Sequence, residues 1–182
     1  MNSGLYIIFI SHYDEEKPIA EAVHDLLEEA YSGFADVFIS SEIGPGTDWL
    51  QNIKKSLNAS DEVLTIFTYK SAERPWVNIE TGYGVMAEKV VTPVLFGGFT
   101  RADLPIIYHL RQAVDSRAEA NVASLYNSIL ARIRMKFPSA RPRWYQKQFW
   151  HERHNRIPQA EALCPENPRR WGSYLIPPAI SF

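Results

Sequence analysis

Leu5-Tyr6-Ile7-Ile8-Phe9-Ile10-Ser11-His12-Tyr13-Asp14 is the stretch on which the fold turns. Its apolar run is continuous rather than alternating, and it ends abruptly in polar residues. That pattern describes a strand buried on both faces, as in a parallel sheet. A helix is expected next, from about Glu15 to Tyr31, with Asp14 or Ser11 as its cap and Ile19, Ala20, Val23, Leu26, Leu27 and Ala30 as its apolar stripe. Asp36-Val37-Phe38-Ile39 then reads as a second strand. Strand, helix and strand make a βαβ unit, whose crossover is almost always right-handed.

The alternation continues along the chain. Ser40 to Asp48 is a polar loop in which Gly44 and Gly46 flank Pro45 and permit sharp turns. A helix through Trp49, Leu50, Ile53 and Leu57 follows, capped by Thr47 or Asp48. Glu62 to Thr68 is β-branched and apolar, a third strand. Ser71 to Pro75 lead into a helix that carries Trp76 and Glu80 and runs to about Lys89. Val90 to Phe96 is a fourth strand, and Pro93 within it predicts an irregular or edge position because proline lacks the ladder donor. Ala102 to His109 reads as a short helical turn, Leu110 to Val114 as a short fifth strand, and Ala118 to Phe137 as an amphipathic helix. Strands alternating with helices imply a doubly wound α/β sheet, where ligands bind beyond the C-terminal strand ends. Ser11 to Asp14, Ser40 to Thr47 and Ser71 to Glu80 all follow strands and are expected to meet there.

The site is predicted around Trp76-Val77-Asn78-Ile79-Glu80. A spacing of four on a helix brings the Trp76 ring and the Glu80 carboxylate onto one face. The positions three and four away from Glu80 hold Trp76, Val77, Tyr83 and Gly84, so the acid has no helical cation beside it.

Composition bounds the rest. With 182 residues, 46% of them hydrophobic, the chain fits one domain with a possible appendage. A net charge of −2 gives no overall pull toward nucleic acid or acidic lipid. A single cysteine, Cys164, leaves no internal disulfide or all-cysteine metal site. No apolar run is long enough to span a bilayer and the first residues lack a basic leader, so a cytoplasmic protein is expected. From Pro138 the composition shifts, and residues 139–182 are assigned to a C-terminal extension beyond a domain of residues 1–138. Its stretch from Arg141 to Arg156 is basic and aromatic, which fits a docking surface better than a nucleic-acid site. His151 and His154 lack further ligands, so no metal is expected. Cys164 lacks a base to make it a nucleophile.

Phe9-Ile10-Ser11-His12, then Val37-Phe38-Ile39-Ser40 leading through Ile43, Pro45-Gly46 and Trp49 to Ile53 and Leu57, then Ser71 and Trp76-Val77-Asn78-Ile79-Glu80, resemble a TIR (Toll/interleukin-1 receptor) domain. The likeness covers roughly residues 4–137 and is greatest to the bacterial branch. It implies a flavodoxin-like, three-layer fold with a parallel five-stranded sheet of order 2-1-3-4-5. It also implies that Ser40 to Asp48, with Ile43, Gly44, Pro45 and Gly46, is the BB loop that mediates assembly and gates the pocket. Many bacterial TIR domains cleave the nicotinamide–ribose bond of NAD+ in antiphage defence, some forming a cyclic ADP-ribose signal. The glutamate of their W-x-x-x-E motif is catalytic, and here that residue is Glu80.

The resemblance implies NAD+ as substrate with no other cofactor, a homo-oligomer through TIR–TIR contacts, and a partner defence protein. Trp76, Ser11, His12, Asp14, Phe38, Ser40 and Ser71 are then the expected substrate contacts. Ser11 to Glu16 holds no cation for a pyrophosphate and there is no G-x-G-x-x-G, so Lys17, Lys70 or Arg74 is assigned that contact. The chemistry suits one acid. Ordinary glycosides need a second carboxyl to protonate the leaving oxygen, whereas nicotinamide departs neutral. Two other readings remain open: a non-catalytic TIR interaction module, and a nucleoside deoxyribosyltransferase-like enzyme that also sets a glutamate near a ribose.

Overall fold

A computed structural model describes residues 4–40, 49–141 and 160–164. Five parallel strands, β1 (Tyr6–Ser11), β2 (Ala35–Ile39), β3 (Glu62–Phe67), β4 (Val90–Leu95) and β5 (Val114–Asp115), lie in the order β2-β1-β3-β4-β5. The helices α1 (Lys17–Ala30), α2 (Trp49–Ala59), α3 (Pro75–Met86) and α4 (Glu119–Lys136) cover both faces of this sheet. This is the flavodoxin-like arrangement that the resemblance implies.

Alternation along the strands decides what each face receives. Tyr6, Ile8 and Ile10 of β1, with Leu64 and Ile66 of β3, pack with Leu26 and Leu27 of α1 and Ile129 and Ile133 of α4. Phe9 and Val63 point the other way, against Ile53 and Leu57 of α2. Ser11 stands two residues beyond Phe9 and Thr65 two beyond Val63. Both hydroxyls therefore fall on the α2/α3 face, side by side, because Ser11 is the register partner of Thr65. The parity of the strand thus delivers Ser11 to the face covered by α3.

Gly84 lets α3 approach that face closely. A Cβ on it would stand 3.1 Å from Val63 Cγ2 and 3.2 Å from Val91 Cγ2. The helix is further tied down by Thr65 and Thr81, whose hydroxyls lie 2.9 Å apart.

At the first residue of β3, Glu62 is fully buried. Arg132 donates to both its oxygens at 3.0 and 2.7 Å, and the Tyr6 hydroxyl donates at 3.1 Å. Burial, the largest cause, pushes the Glu62 carboxyl up, and the Arg132 guanidinium opposes it.

Two expectations are corrected in detail. Neither Asp14 nor Ser11 caps α1: a 3-10 turn at Asp14–Glu16 leads into it, its N-cap makes no side-chain bond, and Pro18 occupies the first turn. The Ser11 hydroxyl is used elsewhere. The fifth strand is Val114–Asp115 rather than Leu110 to Val114, since Leu110 is 93% exposed and offers nothing to a core. Residues 101–113 instead form two 3-10 turns, held by a capping box between Thr100 and Asp103 and by Arg101 donating to the His109 carbonyl. Pro93 lies within β4, an interior strand rather than an edge one, but β5 pairs only with Val94 and Leu95, so among the described residues no strand pairs with Pro93 on that side.

Ala140 and Ala160 are buried in the same cluster as α1, with Cys164 packed against it. The proposed BB-loop residues Ile43, Gly44, Pro45 and Gly46, the caps Thr47 and Asp48, and His151 and His154 lie outside the described residues. No described helix is long and apolar enough to cross a membrane.

Candidate active site

Glu80 sits in the second turn of α3 with no exposed surface. The Ser11 hydroxyl donates to Glu80 Oε2 at 2.5 Å, and the Trp76 indole N–H donates to Glu80 Oε1 at 2.6 Å. The spacing of four that placed ring and acid on one face thus becomes a direct hydrogen bond, and the strand-end serine completes a clamp. The Ser11 bond is in the short range expected of a hydroxyl donating to a charged acceptor.

Among the described residues no cation contributes. Burial pushes the Glu80 carboxyl up to about 7, with the Ser11 and Trp76 bonds opposing it. Burial raises the Glu16 and Glu62 carboxyls as well, so the shift alone does not set Glu80 apart; its place in a cleft wall does.

Glu80 and Trp76 form one wall of a cleft of about 260 Å³ between α2 and α3, whose other walls are Gln51, Ile53, Lys54, Leu57, Ile79 and Tyr83. A larger cavity of about 390 Å³ lies at the β4/β5 edge beside α4, lined by Thr92, Arg111, Asn121, Ser128 and Arg132 among others. It lies at the start of β4 and does not reach the clamped Glu80, so the smaller cleft is the candidate site.

The remaining predicted residues fall into three groups. His12 and Ser40 are brought together beside Ser11: Ser40 Oγ and His12 Nδ1 lie 3.0 Å apart, joining the ends of β1 and β2. His12 is buried and its Nε2 has no hydrogen-bond partner among the described residues. Burial, opposed by the Asp14 carboxylate, lowers its pKa to about 4, so the ring is neutral at physiological pH. Asp14 itself is exposed, in the turn that leads to α1. Phe38 lies on the edge strand in register with Phe9, 37% exposed, and is not part of the described cleft wall.

Ser71 goes elsewhere. Its Oγ accepts from the Thr68 amide at 2.7 Å, and the Thr68 hydroxyl donates to the buried Glu16 carboxylate. Burial raises the Glu16 carboxyl, and its Oε2 has no partner among the described residues. This network joins the turn after β1 to the turn after β3, and its residues lie between Ser11 and Glu80 in sequence. Thr68 and Glu16 were not foreseen; only their positions just after strands pointed to them.

The cations assigned to a pyrophosphate are all occupied. Lys17 pairs with Glu21 at 3.7 Å, Lys70 with Glu15 at 2.8 Å, and the Arg74 guanidinium lies 4.2 Å from the centre of the Tyr13 ring. Lys54, which the sequence reading passed over, lines the cleft instead. Among the described residues no group of three or more His, Cys, Asp or Glu side chains is placed to hold a metal.

The chain is similar in structure to the TIR domain of the Toll-related receptor TRR-2 from the lower metazoan Hydra magnipapillata. The TM-score is 0.56 at 12% identity, over 70% of this chain and 97% of that one. A second likeness is to the TIR domains of the activated Roq1 resistosome that directly recognises the pathogen effector XopQ, at 15% identity with a TM-score of 0.44, over 91% of this chain and 89% of that one. No curated protein matches the chain in sequence. The model of the family described as "TIR domain" matches residues 8–127, more than half of the chain, and includes Ser11, Trp76 and Glu80. On that match and the sheet order together, this chain belongs to the TIR domain family.

Proposed function

We propose that this TIR domain cleaves the nicotinamide–ribose bond of NAD+, with Glu80 as the catalytic carboxylate. The observation that carries the reading is a fully buried glutamate, raised to about 7 with no described cation beside it and clamped by Ser11 and Trp76, in the wall of the cleft between α2 and α3.

The bond between ribose C1′ and the pyridinium nitrogen breaks with its electron pair leaving on nitrogen, which yields neutral nicotinamide. No general acid is needed. Positive charge develops at C1′, and an ionised Glu80 stabilises it in a site where water does not screen the interaction. Entry of the cationic nicotinamide favours the ionised carboxyl by opposite-charge attraction, lowering its pKa as substrate binds. Ser11 and Trp76 hold the two oxygens so that the charge is presented in one orientation. Water then attacks C1′ and loses a proton to give the hydrolysed product; attack by the adenine base of the same molecule gives a cyclic one. NAD+ serves as substrate, and no further cofactor enters the scheme.

Glu80 has no exposed surface, so substrate reaches it only when its covering groups move. That requirement fits a domain activated by assembly through the expected BB loop, Ser40 to Asp48, in a cytoplasmic homo-oligomer serving antiphage defence with a partner protein. The same burial favours the rival reading, a non-catalytic interaction module in which Glu80 is structural. Incubating concentrated protein with NAD+, and separately with a deoxynucleoside, decides among the readings: released nicotinamide supports the glycohydrolase, released free base the transferase, and neither the scaffold.

A further inference from the structure

The cleft between α2 and α3 has one acid, two aromatic side chains, an amide, aliphatic walls and one cation, Lys54. Gln51 and Lys54 stand three apart on α2, so both rise from one helical face opposite α3. Among the described residues the Lys54 side chain has no ion pair or hydrogen bond. Every other cation assigned to a phosphate contact is already paired or stacked.

Size sharpens the point. At about 260 Å³ the cleft falls below the roughly 300–1,000 Å³ of pockets that enclose a drug-sized ligand. It therefore takes part of a dinucleotide and leaves the rest at its mouth. If the nicotinamide riboside end lies at Trp76 and Glu80, the next group along the molecule is the phosphate on the ribose 5′ oxygen. A lysine lays its methylene stem on an apolar wall and carries its ammonium to the water at the edge. Such an ammonium acts as a point charge toward phosphate.

Resting on the site proposed above, we infer that Lys54 is the phosphate-binding cation of this cleft and makes it selective for phosphorylated nicotinamide nucleotides over nicotinamide riboside. It is a specificity-determining residue, separate from the Glu80 chemistry.

The test measures equilibrium binding of NAD+ and of nicotinamide riboside by calorimetry in concentrated, assembled Glu80→Gln protein, where turnover is slowed, with and without Lys54→Ala or Lys54→Arg. Lys54→Ala is expected to weaken NAD+ binding by about tenfold, the scale of one charge-assisted contact, and to leave riboside binding unchanged. Lys54→Arg keeps the charge and is expected to stay within about twofold of the parent for NAD+. Added salt is expected to narrow the difference for NAD+ alone. Equal weakening of both ligands, or no effect on NAD+, overturns the inference, as does failure of both ligands to bind. If binding follows the expected pattern while protein with an intact Glu80 releases no nicotinamide, the phosphate site stands and the glycohydrolase reading falls.

Discussion

Ser11 Oγ donates to Glu80 Oε2 at 2.5 Å, which joins the last residue of β1 to the second turn of α3 through the carboxylate proposed to do the chemistry. The bond favours the ionised form and opposes burial. Ser11→Ala removes that opposition, so the carboxyl is expected to rise above 7. The alkaline rise of kcat/KM is then expected to move to higher pH, with a stability loss of about 1.5–3 kcal/mol for a hydrogen bond to a charged group. A pH–rate profile of the variant against the parent, with a urea titration of each, checks both.

Glu80 places a cost on folding at alkaline pH. An acid whose folded pKa lies above its unfolded one binds protons on folding between the two values, so stability falls as pH rises through that window. For Glu80 the window runs from 4.5 to about 7, and the accumulated cost is on the order of 3 kcal/mol above it. Glu80→Gln keeps the shape and carries no charge. It is expected to be more stable than the parent above pH 7, with the gain fading toward pH 4.5 in chemical denaturation.

His12 has the opposite sign. Its folded pKa is lowered from 6.5 to about 4 by burial, so its contribution is lost as pH falls through that interval. The two slopes oppose each other in the parent, where the raised Glu16 and Glu62 carboxyls add to the Glu80 side. Replacing His12 by Asn removes the opposing slope. Its stability is therefore expected to fall more steeply than the parent's as pH rises between 4.5 and 6.5, and parallel curves would contradict the burial of a neutral ring.

The fold and the pair at its centre were legible from the chain because each rests on a short-range pattern. The continuous run before Ser11 marked a doubly buried strand, and strand parity then fixed the face on which Ser11 lies. Trp76 and Glu80 needed only the helical repeat. What escaped depends on packing between distant segments. Nothing local says that the Thr68 hydroxyl is drawn to Glu16, or Lys70 to Glu15. Lys54 was missed because an exposed helical lysine is ordinary in sequence, and only the approach of α2 to α3 gives it a cleft. Leu110 misled because an apolar residue near a short run reads as strand, whereas here it stands in solvent.

Arg132 is expected to be costly to remove. Its loss leaves Glu62 buried without a cation, a penalty of about 3–5 kcal/mol. Arg132→Met should lower the denaturation midpoint sharply, while adding Glu62→Leu should recover much of the loss. A double variant no better than the single one would show that the pair does more than neutralise itself.

Gly84 holds α3 against the sheet. Gly84→Val brings new methyl groups into Val63 and Val91, an overpacking cost of about 1–3 kcal/mol, and pushes Glu80 away from Ser11. Lower stability together with an activity loss larger than the stability loss explains is the expected pair of results.

Nicotinamide release from NAD+ by concentrated, assembled protein, compared between the parent and Glu80→Gln, tests the central claim most directly. The expected result is release by the parent and a rate lower by about 10²–10³-fold in the variant, the scale lost when a preorganised charge is removed. Equal rates in the two proteins, or no release from an assembled parent, would contradict it.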